Sequence, residues 1–106
     1  MNEQNLEGQI ILPLEWHIPD GILSRYVTNI VVQHTEHEFI ISFFEVRPPI
    51  VLGSDEEKEA QLKQIDSVRA ECVARIVVAA DRLPDFIRVL NENLATYRSR
   101  FDENRE

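Results

Sequence analysis

The stretch from residue 38 to residue 47 constrains the fold most, because it has the pattern of a strand with large apolar side chains on both faces. Side chains alternate between the two faces of a strand. One face carries Phe39, Ile41 and Phe43, and the other carries Ile40, Phe44 and Val46. A sheet with one face in water should instead alternate apolar and polar residues. We therefore expect this strand to lie in a sheet that is covered on both faces.

Three other segments also have the composition of strands. Residues 22–35 and 67–79 are rich in β-branched residues, and residues 9–16 form an apolar run in which Pro13 allows only an edge strand. Residues 18–21 carry a Pro-Asp-Gly turn signal, and a polar break of hairpin length precedes residue 38. These segments predict an antiparallel meander of three to four strands.

Seven apolar residues near the C-terminus recur in steps of three and four, which predicts one long amphipathic helix. They are Leu83, Phe86, Ile87, Leu90, Leu94, Tyr97 and Phe101. Asp81 is the expected N-cap, which places Pro84 in the first turn, where its missing N–H has no cost. Burying this stripe contributes roughly 1.5–3 kcal/mol per large side chain, so the helix needs an apolar surface to lie on. The sheet is the only candidate.

The predicted fold class is α+β: an antiparallel meander of three to four strands packed against one long C-terminal α-helix and oligomeric through the sheet. Residues 9–101 are expected to form one domain, with flexible ends at residues 1–8 and 102–106. Residues 50–66 are acidic and are expected to be a mobile connection with a short helix at best, capped by Ser54 or Asp55.

The second apolar face of the sheet needs a cover that a single helix cannot provide. The N-terminal segment, a partner protein or a second copy of the chain are the alternatives, because an uncovered patch of this size is unusual on a monomer. We expect the chain to bind itself, as a homodimer or higher oligomer, or another protein, or both. The expected interface residues are Trp16, Tyr26, Ile30, Val32, Phe39, Ile41, Phe43 and Phe44.

The charge and the apolar runs argue against several partners and locations. A net charge of −8 disfavours nucleic acid and anionic membrane surfaces, which both attract basic proteins. No apolar run is long enough to span a bilayer, and the first eight residues lack the basic start of a signal peptide. Cys72 is the single cysteine, so no internal disulfide can form. We therefore expect a cytoplasmic protein.

No group of residues predicts catalysis or a cofactor. His34 and His37 are weak candidates for a metal site, because a zinc site needs three or four protein ligands and the others are not identifiable. Cys72 falls on the apolar face of a predicted strand, where cysteine behaves as a small hydrophobe. A metal-dependent or thiol-dependent enzyme using His34, His37 or Cys72 is the alternative to a protein without catalytic residues, bound metal or cofactor.

The sequence resembles a family of small, uncharacterised bacterial proteins known as a domain of unknown function of the DUF3467 type. Four strings carry the resemblance: Arg25-Tyr26-Val27-Thr28-Asn29, Glu38-Phe39-Ile40-Ile41-Ser42-Phe43, Ala74-Arg75-Ile76-Val77-Val78, and Leu90-Asn91-Glu92-Asn93-Leu94-Ala95-Thr96-Tyr97. Family members often open the helix with a Thr-Pro pair, where this chain has Ala80-Asp81. The resemblance implies no activity, cofactor or catalytic residue.

The order of elements also looks like that of SecB-type export chaperones, which assemble through their sheets and bind unfolded clients on apolar surface. This is a likeness of architecture, and a fold does not determine a function. We expect a non-catalytic binding or assembly protein that acts through protein–protein interaction. A SecB-like holdase is one alternative, and the enzyme described above is the other.

Overall fold

The computed structural model describes residues 3–4 and 10–102 of the chain, with side chains described from residue 10 onward. The strands are β1 (Glu3–Gln4), β2 (Ile10–Ile11), β3 (Asn29–His34), β4 (Glu38–Arg47) and β5 (Arg69–Ala79). Helix α1 (Asp55–Lys63) joins β4 to β5, and helix α2 (Leu83–Tyr97) follows β5. Strands β3, β4 and β5 form an antiparallel sheet in that spatial order, and β1 pairs only with β2 among the described residues. The predicted α+β class, with a sheet and a long C-terminal helix, is confirmed.

The bounds of β4 match the sequence prediction, but β3 is shorter than residues 22–35. Pairing with β4 begins where the Thr28 amide donates to the Phe44 carbonyl at 2.8 Å. The Thr28 hydroxyl then accepts a hydrogen bond from the Val46 amide at 2.9 Å. Beyond Arg47 the partner strand meets Pro48 and Pro49, which offer no N–H to a ladder. Because the Thr28 hydroxyl takes the Val46 amide, that amide is not available to the backbone of the residues before Thr28, and β3 begins at Asn29.

The predicted first strand over residues 9–16 is wrong in its extent and in its partner. Within residues 10–16, which the structure describes, only Ile10–Ile11 is a strand, and it pairs with Glu3–Gln4 rather than with the main sheet. The predicted turn at residues 18–21 is confirmed, since the Ile22 amide donates to the Pro19 carbonyl at 3.2 Å. The rest of the predicted flexible ends, at residues 1–2, 5–8 and 103–106, lies outside the described residues.

One irregularity in the β4–β5 ladder changes which residues share a face. Phe43 pairs with Ala74, whereas Phe44 pairs with Cys72, so Val73 is an extra residue in β5. An extra residue interrupts the alternation of side chains. Cys72 and Ala74 therefore lie on opposite faces of the sheet, although uninterrupted alternation would place both on the apolar face predicted for Cys72.

The predicted connection over residues 50–66 contains one short helix, α1, which has a defined start. The Glu57 amide donates to the Ser54 hydroxyl at 3.2 Å, and the Ser54 amide donates to the Glu57 carboxylate at 2.8 Å. This reciprocal arrangement is a capping box, and it satisfies two backbone donors at the helix start. Gly53 precedes it with a φ of +113°, a conformation that an L side chain rarely adopts. Ser54, and not Asp55, is the N-cap.

Helix α2 begins differently from the prediction. A 3₁₀ turn, Ala80–Arg82, continues directly from β5, and Arg82 occupies the N-cap position without a side-chain hydrogen bond. Asp81 lies inside that turn, so its predicted role as N-cap is wrong. Pro84 lies in the first turn as predicted. After Tyr97 the chain continues as a π-helical turn, Arg98–Asp102. No helix within the described residues is long and apolar enough to cross a membrane.

We predict that Ser54→Ala frays helix α1 and costs about 1 kcal/mol of local helix stability, because the Glu57 amide loses its acceptor. Amide hydrogen exchange of residues 55–58 measures this. Asp66→Ala, outside the helix, is the control, and unchanged exchange in Ser54→Ala would contradict the capping role.

The cap also predicts a pH dependence. The hydrogen bond from the Ser54 backbone amide, helped by the Ser54 hydroxyl, holds the pKa of Glu57 below its usual 4.5. Because the folded pKa is depressed, the cap's contribution is complete above pH 4.5 and is lost as the pH falls through the lower folded value. Protection of α1 amides should therefore fall only below pH 4.5. Glu57→Gln should remove this pH dependence.

Candidate protein-binding groove

An apolar groove of about 370 Å³ lies between one face of the sheet and the first half of helix α2. The sheet contributes Ile30, Val32, Ile41, Phe43, Ile76 and Val78. The helix contributes Leu83, Phe86, Ile87 and Leu90. Every one of these side chains is a hydrocarbon, so the groove offers neither a hydrogen bond nor a charge from its side chains.

The strand register explains why these sheet residues meet. Ile41 at the centre of β4 faces Val32 of β3 on one side and Ile76 of β5 on the other. Residues directly opposite in neighbouring strands point to the same face, with Cβ atoms roughly 4.5–5.5 Å apart. The three aliphatic side chains therefore form a continuous row across the sheet, and the alternation of each strand adds further rows on that face.

The hairpin between β3 and β4 helps to position the helical wall. The Thr35 amide donates to the Glu38 carbonyl at 2.9 Å, and the Thr35 hydroxyl accepts hydrogen bonds from the His37 and Glu38 amides. The His37 carbonyl then accepts from the Ala80 amide at 2.8 Å. This last bond ties the hairpin to the 3₁₀ turn that begins the helix. The direction in which α2 leaves the sheet is thus set by backbone hydrogen bonds.

The groove is open, and the chain as a whole is far from compact. Its radius of gyration is 22.0 Å, compared with about 13 Å for a compact domain of this length. Its accessible surface of 10135 Å² is about 4,000 Å² larger than that of a typical monomer of its mass. Among residues 10–102, Val78 is the one buried apolar residue, with 5% of its surface exposed. Residues 10–102 therefore expose much apolar surface and form no closed core.

The apolar stripe of α2 continues past the groove. Leu94, Tyr97 and Phe101 follow Leu90 on the same side of the helix, yet they do not line the groove and remain exposed. The Tyr97 and Phe101 rings pack against each other with their centroids 5.2 Å apart. The stripe thus has a first half that faces the sheet and a second half that is an uncovered apolar ridge.

The outer face of the sheet is also partly apolar, as the double pattern of β4 predicts. It carries Ile40 and Phe44, both half-buried, around Ser42, of which 6% is exposed. The Arg75 guanidinium donates to the Ser42 hydroxyl at 3.2 Å, so this buried hydroxyl has a partner. A polar pair at the centre makes the outer face less apolar than the groove.

Residues 10–28, which we call the arm, form a second exposed apolar surface. The arm carries Leu14, Ile18, Leu23 and other large apolar side chains, all of which are exposed. Trp16 is 87% exposed and Tyr26 is 78% exposed. Beyond the Ile10–Ile11 strand, the described arm has no regular secondary structure.

The structure separates the eight predicted interface residues into three places. Ile30, Val32, Ile41 and Phe43 line the groove, and Phe39 lies on the same sheet face because it pairs with Val78. Phe44 is on the outer face, and Trp16 and Tyr26 are in the arm. The predicted set does not include the other groove residues, Ile76, Val78, Leu83, Phe86, Ile87 and Leu90. Strand alternation and the helical stripe mark these residues as apolar in the sequence. Only the fold shows that the strand residues and the helix residues meet in one groove.

The candidate chemical residues are not brought together. The His34 ring packs against Phe39 with their centroids 5.4 Å apart. No three His, Cys, Asp or Glu residues of the described chain are grouped so that they could hold a metal ion. Cys72 is exposed, so the expectation that it lies in the core is wrong. The register shift at Val73 is the physical reason, because it turns Cys72 away from the groove.

Comparisons with known proteins give a family but no activity. Residues 2–103 match a protein family described as "Protein of unknown function (DUF3467)". No curated protein and no solved structure matches the chain. The likeness to SecB-type chaperones stays a prediction.

We predict that a thiol reagent labels Cys72 fully in the native protein, because its side chain is exposed on the sheet face opposite the groove. Intact mass spectrometry after treatment with a maleimide measures the extent of labelling. The Cys72→Ser variant is the control and should gain no mass. Labelling that begins only in denaturant would show that Cys72 is covered.

Proposed function

We propose that this chain, which belongs to the DUF3467 family of proteins of unknown function, is a non-catalytic protein-binding and assembly module. The observation that supports this function is the open groove with its purely hydrocarbon lining. In the functional form, another polypeptide covers it.

The lining favours a polypeptide over a small molecule. Sites for metabolites combine apolar walls with a few placed polar groups that fix the orientation of the ligand. The ten groove residues supply no polar side chain, so they cannot orient a metabolite by hydrogen bonds. A row of apolar side chains from another helix or strand needs no such groups. Aliphatic and aromatic walls are the usual means by which a groove binds an amphipathic helix.

The absence of a closed core adds a thermodynamic reason. A chain of about 100 residues loses of the order of 100–200 kcal/mol of conformational entropy on folding, which burial of apolar surface must offset. Val78 alone is buried among the apolar residues from 10 to 102. A polypeptide in the groove would bury the surrounding side chains, and each Å² of apolar surface buried contributes about 25 cal/mol to stability. Binding of that polypeptide and stable folding are therefore one process.

Neighbouring residues of β5 offer a sharp test. Ile76 lies in the groove and Val77 lies on the outer face, and they are 48% and 59% exposed in the single chain. If a polypeptide covers the groove, Ile76→Asp places a charge in an apolar contact, whereas Val77→Asp does not. We expect Ile76→Asp to lower the free energy of unfolding by about 2–4 kcal/mol more than Val77→Asp does. Native mass spectrometry should also show the wild-type chain in a complex that Ile76→Asp loses. Equal losses from the two variants, with a bare folded wild-type chain of 12.3 kDa, would contradict the proposal.

A holdase for unfolded polypeptides is the second candidate, and the exposed arm favours it. Apolar side chains along an irregular segment can adapt to clients of many sequences, as flexible surfaces do in promiscuous binders. The arm offers several such side chains, of which Leu14 and Trp16 are examples, within a chain whose acidic charge keeps it soluble.

We predict for this candidate that the wild-type chain suppresses the aggregation of chemically reduced insulin at equimolar concentration. The double variant Leu14→Ser and Trp16→Ser should lose at least half of that effect, because it removes two of the most exposed apolar side chains. Glu15→Ser, between them, is the matched control and should behave as wild type. No suppression by the wild-type chain would remove the holdase candidate and leave the groove proposal standing.

A further inference from the structure

We infer that the polypeptide in the groove is a second copy of this chain, and that the second half of its α2 stripe is the part that enters. The inference rests on the proposed function, because it names the occupant of the same groove. Under this arrangement the partner copy contributes Leu94 and Tyr97 to the site, which is incomplete without them.

The chain carries both parts of a self-complementary contact. The groove is a concave apolar surface, and its helical wall ends at Leu90. The ridge that follows, with Leu94, Tyr97 and Phe101, is a convex apolar surface on the same helix. Contacts with two-fold symmetry are isologous, so each copy presents both its groove and its ridge to the other. The two-fold contact then covers both the groove and the ridge of each copy.

The position of the two-fold axis follows from the stripe. The stripe runs from Leu83 to Phe101, so its middle is near residue 92. If two α2 helices pack antiparallel about that point, the second half of each lies over the first half of the other. Leu90 and Leu94 then flank the axis, and Leu90 of each copy contacts Leu94 of the other copy. The 70% exposure of Leu90 in the single chain agrees with this, because it is the most exposed groove residue.

The surface area also fits a second copy. Each chain exposes about 4,000 Å² more than a compact monomer of its mass. Permanent homodimers bury roughly 2,000–5,000 Å² in total, in interfaces that resemble a domain core cut in half. Two copies with this excess have enough surface for such an interface. A chain without a closed core needs its partner at all times, and its own copy is the partner that is always present.

The first experiment is the solution mass of the full chain by light scattering coupled to size exclusion, over a range of concentrations. We expect twice the chain mass of 12.3 kDa or an even multiple of it. Leu94→Glu should weaken the dimer at least about 100-fold, since the charge enters the apolar contact twice. Ala95→Glu is the matched control, because this neighbouring position lies away from the stripe and is exposed. It should leave the mass unchanged, and a Leu94→Glu dimer as tight as the wild type would overturn the inference.

A second experiment tests the arrangement without introducing a charge. Chains with Ile87→Cys and chains with Tyr97→Cys are both made in a Cys72→Ser background. The two kinds of chain are unfolded, mixed and refolded together. The antiparallel register places position 87 of one copy beside position 97 of the other. Two positions 87, or two positions 97, stand about 15 Å apart along the helix axis at 1.5 Å per residue. A short bifunctional maleimide should therefore join the two kinds of chain and not like with like. Dimers that give no mixed product would overturn the inference.

The outcomes also separate this inference from the proposed function. A complex of this chain with a different protein, lost in Ile76→Asp, would retain the proposed function and overturn self-occupancy. A bare, folded monomer at every concentration would overturn both.

Discussion

The structure depends on an imbalance between apolar surface and the means to cover it. Strand β4 has apolar side chains on both faces, and the helix that follows the sheet forms only the other wall of an open groove on one face. Hydrophobic stabilisation grows with the apolar area removed from water, so surface left exposed contributes nothing. Apart from Val78, the apolar residues between 10 and 102 stay at least partly exposed. The groove, the ridge on α2 and the arm are three places where this uncovered apolar surface lies.

The backbone around the groove, in contrast, forms many hydrogen bonds. The sheet ladders, the hairpin at Thr35 and the bond from Ala80 to the His37 carbonyl give the groove walls a defined relative direction. These bonds position side chains and contribute little net free energy each, about 0.5–1.5 kcal/mol. They decide which side chains face the groove once the chain folds, and a polypeptide that covers these side chains supplies the burial that stabilises the fold. This links the fold to the proposed binding function.

Several features followed from local patterns because their physics is local. The bounds of β4, the cap at Ser54 and the helical stripe from Leu83 depend on residues close together in the chain. Other features depend on pairing partners. The start of β3 is set where the Thr28 hydroxyl takes the Val46 amide, and the face of Cys72 is set by an extra residue at Val73. Neither can be read from alternation, because alternation assumes an uninterrupted ladder.

The sequence by itself determined the class of fold, the family and the excess of apolar surface, since composition, periodicity and turn residues specify which segments are strands or helices. Only the tertiary structure decided that six sheet residues and the first half of α2 form one groove, while Leu94 and Tyr97 lie outside it. It also divided the predicted interface residues among the groove, the outer face and the arm. The physical reason is that register and the exit angle of a helix are set by contacts between distant segments. A periodic pattern specifies which side of an element is apolar, but not what that side meets.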